Sequence, residues 1–168
     1  DFNLMEEDFA TLFNRQLPIY HEEGQKKLKE STVLIIGCGG LGSSCSTILS
    51  RSGVGHLILV DDDIVSLSNI HRQFLYTHVD KFKCESAAVS PLLCLSKNTP
   101  INVHATAEEI DQLIKQYKPC VVMDCTDNFE VRYAINKACV DNSLPMVYGS
   151  VTGGEGQVAV FWPTKDNP

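Results

Sequence analysis

The sequence predicts a doubly wound α/β fold, a mostly parallel sheet with helices on both faces. Three observations predict it. Short apolar runs that read as strands alternate with longer segments of helical period from Val33 to Tyr148. The first run, Val33-Leu34-Ile35-Ile36, is continuously apolar, as a strand buried on both faces requires. Directly after it stands Gly37-Cys38-Gly39-Gly40-Leu41-Gly42, a turn that opens a helix without side-chain obstruction.

Residues 1–30 read as an N-terminal helical arm, with Phe9, Leu12, Phe13 and Leu17 on one helical face until Pro18 interrupts it. Residues 31–168 read as one domain. Helices are expected over about 41–51, 83–95, 110–117 and 130–141. Strands are expected at His56–Val60, 101–105, Val121–Asp124 and 145–148. Strands separated by helices of this length imply right-handed crossovers. Gly149, Gly153, Gly154 and Gly156 then lead into an alternating strand over 157–162, which such a turn allows to run antiparallel.

Composition bounds the function. The chain has 168 residues, 43% of them hydrophobic, enough for one domain with a substantial core. A net charge of -7 argues against binding nucleic acid, whose affinity comes from clustered Lys and Arg. The seven cysteines, at 38, 45, 84, 94, 120, 125 and 139, form no C-x-x-C pair and mostly lie in apolar runs, which reads as reduced and cytoplasmic. No apolar run is long enough to span a membrane, and the acidic, polar N-terminus has no secretion-signal pattern.

The chemistry-bearing residues gather at predicted strand ends. Amides of the Gly37, Gly39, Gly40 and Gly42 loop can face a phosphate at a helix N-terminus. Asp61 stands 19 residues after Gly42, at the end of the second strand, where a carboxylate can accept hydrogen bonds from ribose hydroxyls. Glycine loop and acid alone would suit an NAD-binding oxidoreductase. Asn69 and Arg72 come next, beside Gln73, and Lys83 follows 11 residues after Arg72. Two cations there suit a triphosphate, Arg as a planar donor fork and Lys as a point charge. Asp127 and Asn128 follow the apolar strand at 121–124, on the sheet edge where open α/β folds bind ligands, and Asp127 can serve as a hard oxygen ligand for Mg²⁺. Either residue can instead cap the next helix. Asp124 and Asp62 read as structural, His71 as incidental, and the other histidines carry no constellation.

With these residues in place the sequence resembles the MoeB/ThiF family of ubiquitin-activating-type adenylyltransferases. The resemblance rests on Asn-Arg-Gln at 14–16, the glycine loop at 37–42 and Gly-Val-Gly at 53–55. It continues through Ser-x-Ser-Asn-x-x-Arg-Gln at 66–73, Lys83 before Cys-Glu-Ser-Ala, Asp-Cys-Thr-Asp-Asn at 124–128 and Glu-Gly-Gln at 155–157. It implies a Rossmann-like domain that uses ATP to adenylate the C-terminal carboxylate of a ubiquitin-like sulfur-carrier protein of the MoaD/ThiS kind. By the same resemblance Gly40 and its neighbours line the ATP site, Asp61 holds the ribose, and Asn69, Arg72 and Lys83 contact the nucleotide and its phosphates. Asp127 is then the Mg²⁺ carboxylate, with Asn128 beside it, and Arg15 reaches the phosphates of the other subunit in a homodimer. Family members also carry two C-x-x-C pairs that bind a structural Zn²⁺, and neither pair is in this chain. The final Pro-Thr-Lys-Asp-Asn-Pro loop, with no capping element after it, reads as a truncation before that zinc-binding part. Two alternatives stay open: an NAD-binding oxidoreductase, and a non-catalytic partner subunit of a ubiquitin-like activating complex.

Overall fold

A computed structural model describes residues 11–81, 83–89, 93 and 95–163 of the chain. The elements are α1 (Leu17–Glu30), β1 (Thr32–Ile36), α2 (Gly40–Arg51), β2 (His56–Val60), a 3₁₀ turn at His78–Asp80, α3 (Glu85–Val89) and β3 (Lys97–Ile101). Then follow α4 (Ala107–Tyr117), β4 (Val121–Asp124), α5 (Phe129–Asp141), β5 (Met146–Thr152) and β6 (Glu155–Phe161). One six-stranded sheet runs in the order β3-β2-β1-β4-β5-β6. Its first five strands pair in parallel, and only β6 is antiparallel, on β5. The doubly wound expectation holds.

Alternation along β1 builds two cores. Leu34 and Ile36 face one side, packed with Ile110, Leu113 and Ile114 of α4 and Val131, Ile135 and Ala138 of α5. Val33 and Ile35 face the other, with Leu28 of α1, Leu49 of α2, Val54, Ala88 and Leu93. Helices therefore cover both faces, which is why the central strands are apolar throughout. Thr106 Oγ1 caps α4 by accepting from Glu109 N, and Asn128 Oδ1 caps α5 by accepting from Val131 N.

Register sets where the chemistry goes. Ile36 stands opposite Val60 on one side and Asp124 on the other, so β2, β1 and β4 end level. The next residues, Asp61, Gly37 and Cys125, emerge side by side at the carboxyl edge. β1 leads to β2 on one side and has β4 on the other, so the gap between β1 and β4 is the switch point of the sheet, where such folds bind ligands.

The structure corrects three expectations. The third strand is Lys97–Ile101, not 101–105. Pro100 does not break it because β3 is an edge: Lys97 N donates to Gly55 O and Ile101 O accepts from Asp61 N, so the odd positions face β2 and Pro100 points away from the ladder. The helix expected over 83–95 begins at Glu85 and is described to Val89; residues 90–92 and 94 lie outside the described residues. The helical face expected to run to Pro18 is broken earlier, by a turn over residues 13–16, and Pro18 then sits in the first turn of α1, where no amide partner is needed. A kink follows at His21, whose φ of 57° is in the left-handed region.

Of the apolar face proposed for the arm, Phe9 lies outside the described residues, Leu12 is exposed and Phe13 is buried. Phe13 and Gln25 close over the turn between α2 and β2, which explains Gly-Val-Gly at 53–55. A Cβ on Gly53 would stand 2.9 Å from Phe13 Cζ, and φ there is +92°. One on Gly55 would stand 1.8 Å from Lys29 O, which belongs to backbone and cannot swing aside. We expect Gly55→Ala to destabilise the chain by about 3 kcal/mol, seen as a Tm lower by about 6–12 °C in thermal unfolding. An unchanged Tm would show that α1 is free to shift.

Candidate functional site

A cleft of about 790 Å³ opens at the switch point. Gly37, Gly39 and Gly40 form one wall, Asp61, Asp62 and Asp63 a second, Asn69, Arg72, Gln73 and Glu85 a third, and Cys125 to Phe129 with Arg132 a fourth. Ile36, Val60, Val103 and Ala105 give it an apolar patch. The volume lies in the range of small-molecule clefts.

The glycine loop is shaped by close contact. Gly37 has φ +89°, and a Cβ there would stand 2.8 Å from Cys125 O across the β1–β4 gap. Gly42 does not line the cleft; it faces back into the loop, where a Cβ would stand 1.8 Å from Gly37 O. Gly42 therefore lets the loop fold on itself, while Gly39 and Gly40 present backbone to the cleft. Asp61 braces this turn: its Oδ2 accepts from Cys38 N at 2.6 Å and its Oδ1 from Asp63 N at 2.8 Å. Burial pushes its carboxyl above the usual range, opposed by those two amides.

Asn69 and Arg72 stand together, with Arg72 Nη2 donating to Asn69 Oδ1 at 3.1 Å and Nη1 to Ser68 O at 3.4 Å. Arg72 is exposed and lines the cleft, so its fork can turn to a ligand at little cost. Lys83 is not brought there. It precedes α3 instead of starting a helix, and its Nζ donates to Asp80 at 2.9 Å, which with Thr77 holds the Asp80 carboxyl down to about 2. Arg15 is also elsewhere in its own chain. It is exposed beside Gln16, whose side chain donates to Ser52 O at 2.8 Å just past the far end of α2. A 12-residue helix separates that end from Gly40, a span of about 18 Å.

Asp124 and Asp127 stand in different surroundings. Asp124 is buried, with Oδ1 accepting from Thr126 N at 3.0 Å and Thr126 Oγ1 at 2.7 Å. Asp127 is exposed, lines the cleft, and has no hydrogen bond or ion pair recorded among the described residues. Asn128 lines the cleft too, while its Oδ1 is committed to the α5 cap. An exposed carboxylate at the wall such as that of Asp127 suits Mg²⁺, which takes one or two carboxylates and fills its shell with phosphate oxygens and water.

Two residues that sequence reasoning passed over belong here. Arg132, four after Asn128, donates from Nη2 to Thr126 O at 2.6 Å and Gly149 O at 3.4 Å, and from Nη1 to Tyr148 OH at 3.2 Å. Its Nε stands 3.7 Å from Asp124 Oδ2, and its guanidinium lies 4.8 Å from the Tyr148 ring centroid. It thus pins the end of β4 and the middle of β5 to α5. The signal was its place one turn into the helix after Asp127. Glu85 is 2% exposed and borders the cleft, within the Cys-Glu-Ser-Ala segment, where only Lys83 had drawn notice. His104 gains a partner as well: its Nδ1 is 3.1 Å from Asp62 Oδ2.

Fold and cleft together define a doubly wound domain with a glycine-lined ligand site at the sheet's switch point. The chain belongs to the ThiF family, whose profile matches residues 13–168. It is 40% identical over 158 residues to the molybdopterin-synthase adenylyltransferase of Escherichia coli (strain K12), covering 89% of this chain and 61% of that protein. It is 37% identical over 155 residues to the adenylyltransferase and sulfurtransferase MOCS3 of Danio rerio, covering 89% of this chain and 33% of that one. The chain thus spans between about a third and about six tenths of the length of these curated relatives. Among solved structures, E. coli tRNA N6-threonylcarbamoyladenosine dehydratase, TcdA, in complex with ATP superposes with a TM-score of 0.81 at 21% identity, over 90% of this chain and 63% of that one. E. coli MccB with ATP gives 0.80 at 24%, over 97% and 58%. At these identities the two structures bear on the fold alone.

Replacing Arg132 by Met would leave Asp124 buried without its cation and Thr126 O without its donor. We expect a loss of about 3–5 kcal/mol in chemical denaturation. A loss below about 1 kcal/mol would mean that Arg132 contributes no more than a surface pair.

Proposed function

We propose that this chain is the nucleotide-binding part of an enzyme that adenylates the C-terminal glycine carboxylate of a ubiquitin-like sulfur-carrier protein, with release of pyrophosphate from ATP. The observation that carries this is the convergence on one cleft of the glycine loop, Asp61, Arg72 and an uncommitted Asp127. The names of its relatives support the same chemistry. The glycine loop and Asp61 would also suit the oxidoreductase alternative, but the adenylyltransferase relatives weigh against it. Residues 1–30 act as the arm and 31–168 as the domain, in a cytoplasmic homodimer.

In this reading the backbone at Gly39 and Gly40 receives phosphate at the N-terminus of α2, and Asp61, fixed by Cys38 N, accepts from the ribose. Arg72 leaves Asn69 to bind phosphate oxygens, and Gln73 supports the loop from behind. Asp127 would hold Mg²⁺, which when bound offsets phosphate charge. The carrier's carboxylate, already ionised, attacks the α-phosphorus in line, a bond to oxygen forms, and the bond to pyrophosphate breaks. Positioning and charge neutralisation supply the rate. Among the described residues five carboxylates and two guanidiniums line the cleft, which leaves room for a further cation. Arg15, too far to serve its own site, supplies it to the partner's, and Lys83 can join only by leaving Asp80.

Pyrophosphate exchange into ATP, measured with Mg²⁺ and small ubiquitin-like proteins ending in Gly-Gly, tests the reading. The chain and a version extended past Pro168 are compared with Asp127→Ala. We expect carrier-dependent exchange that falls at least about 100-fold in the variant. Exchange without a carrier, or none from either length, would defeat it. The arm has its own test: mixing inactive Arg15→Ala and Asp127→Ala chains at equal amounts should restore about a quarter of wild-type exchange, because half the dimers then hold one intact site. No recovery on mixing would place Arg15 outside the chemistry.

A further inference from the structure

Behind the glycine loop lies a carboxyl group that the proposed mechanism does not use. Glu85 is 2% exposed, borders the cleft, and sits against Gly39: a Cβ built on that glycine would stand 3.5 Å from Glu85 Oε2 and 3.2 Å from Gln73 Nε2. Gln73 bonds the carboxyl on one side, yet Glu85 Oε1 is buried without a partner, and so is Gln73 Oε1. Two orphaned acceptors at one place are costly, and both lack a hydrogen donor.

The charges around Glu85 are mostly of its own sign. Asp61 and Asp63 face it from the end of β2, and Arg72 is the cation on that side. Cys38 from the glycine loop and Tyr76 from the segment before α3 also pack near it. Burial raises both of those groups, so they stay neutral, and the Tyr76 hydroxyl donates to Cys38 O at 2.6 Å and to the Glu85 carbonyl. Burial first, and Asp61 next, push the Glu85 carboxyl up to about 7. The group is therefore half protonated near neutrality before any anion arrives.

We infer that Glu85 is a further positioning residue of the nucleotide site, taking a proton from solvent as polyphosphate settles on the glycine loop and thereafter standing behind Gly39 as a neutral acid. The inference rests on the nucleotide reading of this cleft. A polyphosphate brings several negative charges onto the other side of Gly39 from the buried carboxylate. Protonation removes that repulsion and turns Oε1 from an orphaned acceptor into a donor. The sign follows: the added anion favours the protonated form, so binding takes up a proton. Affinity is then flat below about pH 7 and falls as pH rises above it, approaching tenfold per pH unit until the complex itself deprotonates.

Calorimetric titration of ATP into the chain, in buffers of different ionisation enthalpy between about pH 6 and pH 8, reads this uptake directly. Glu85→Gln, which keeps the shape and stays neutral, carries the titration of ATP itself and serves as the reference. We expect wild type to take up more protons than the variant at about pH 7 and above, and the variant to bind ATP several-fold more tightly than wild type at about pH 8. Equal proton counts and equal affinities in the two proteins would overturn the inference while leaving the nucleotide reading intact. No ATP binding by wild type at any pH overturns both. Should the variant not fold, infrared spectra of wild type with ¹³C-labelled glutamate decide: a protonated-carboxyl band that grows on ATP addition supports Glu85, and an unchanged band overturns it.

Discussion

The bond from Cys38 N to Asp61 Oδ2, 2.6 Å long, joins the turn after β1 to the turn after β2, and the cleft is organised around it. It requires two strands that end level, a loop that doubles back tightly, and a carboxylate aimed along the sheet edge. The parallel register supplies the first and Gly37 and Gly42 the second. With the loop fixed, α2 begins at Gly40 and its N-terminus faces the cleft without rearrangement. A site organised before its ligand arrives loses little in ordering it.

Arg132 performs the matching task on the other side of the switch point. It draws together Thr126 O, Tyr148 OH and the Asp124 carboxylate, so the loop bearing Asp127 is held from beneath while Asp127 itself stays uncommitted. The acids at this edge of the sheet thus divide by role. Asp61 and Asp124 hold backbone, Asp127 faces outward, and Glu85 lies buried against the loop. In the proposed reading, placing so many carboxyl groups beside a bound polyphosphate looks contrary to electrostatics. It becomes coherent once backbone amides, a divalent cation and mobile protons share the neutralisation.

Much of this was legible in the sequence because local rules governed it. Continuous apolar strands, a glycine turn and an acid at the next strand end are all set by the chain's own periodicity, and β1, β2 and β4 fell where those rules put them. β3 lies four residues earlier than expected because it takes in Pro100, whose tolerance there depends on β3 being the last strand, which only the assembled sheet reveals. Lys83 failed to reach the cleft for a similar reason: the Thr77–Asp80 capping box offers a nearer anion. Glu85 and Arg132 could be placed only by burial and by partners distant along the chain. The structure gathers Gly37, Gly39, Gly40, Asp61, Asn69, Arg72, Gln73, Asp127 and Asn128 at one cleft. It cannot bring Arg15 there within a single chain.

The two borders of the sheet are unequal. At β3, the outward position held by Pro100 has no amide to offer, so an incoming strand would find a broken ladder. At β6 the chain presents seven residues without proline, with Val158, Val160 and the adjoining Trp162 exposed. Among the described residues β6 is therefore the border more open to a further strand. A covalently linked chain, a twin molecule or an unwanted aggregate would each find at β6 a ladder without proline and an apolar rim to cover.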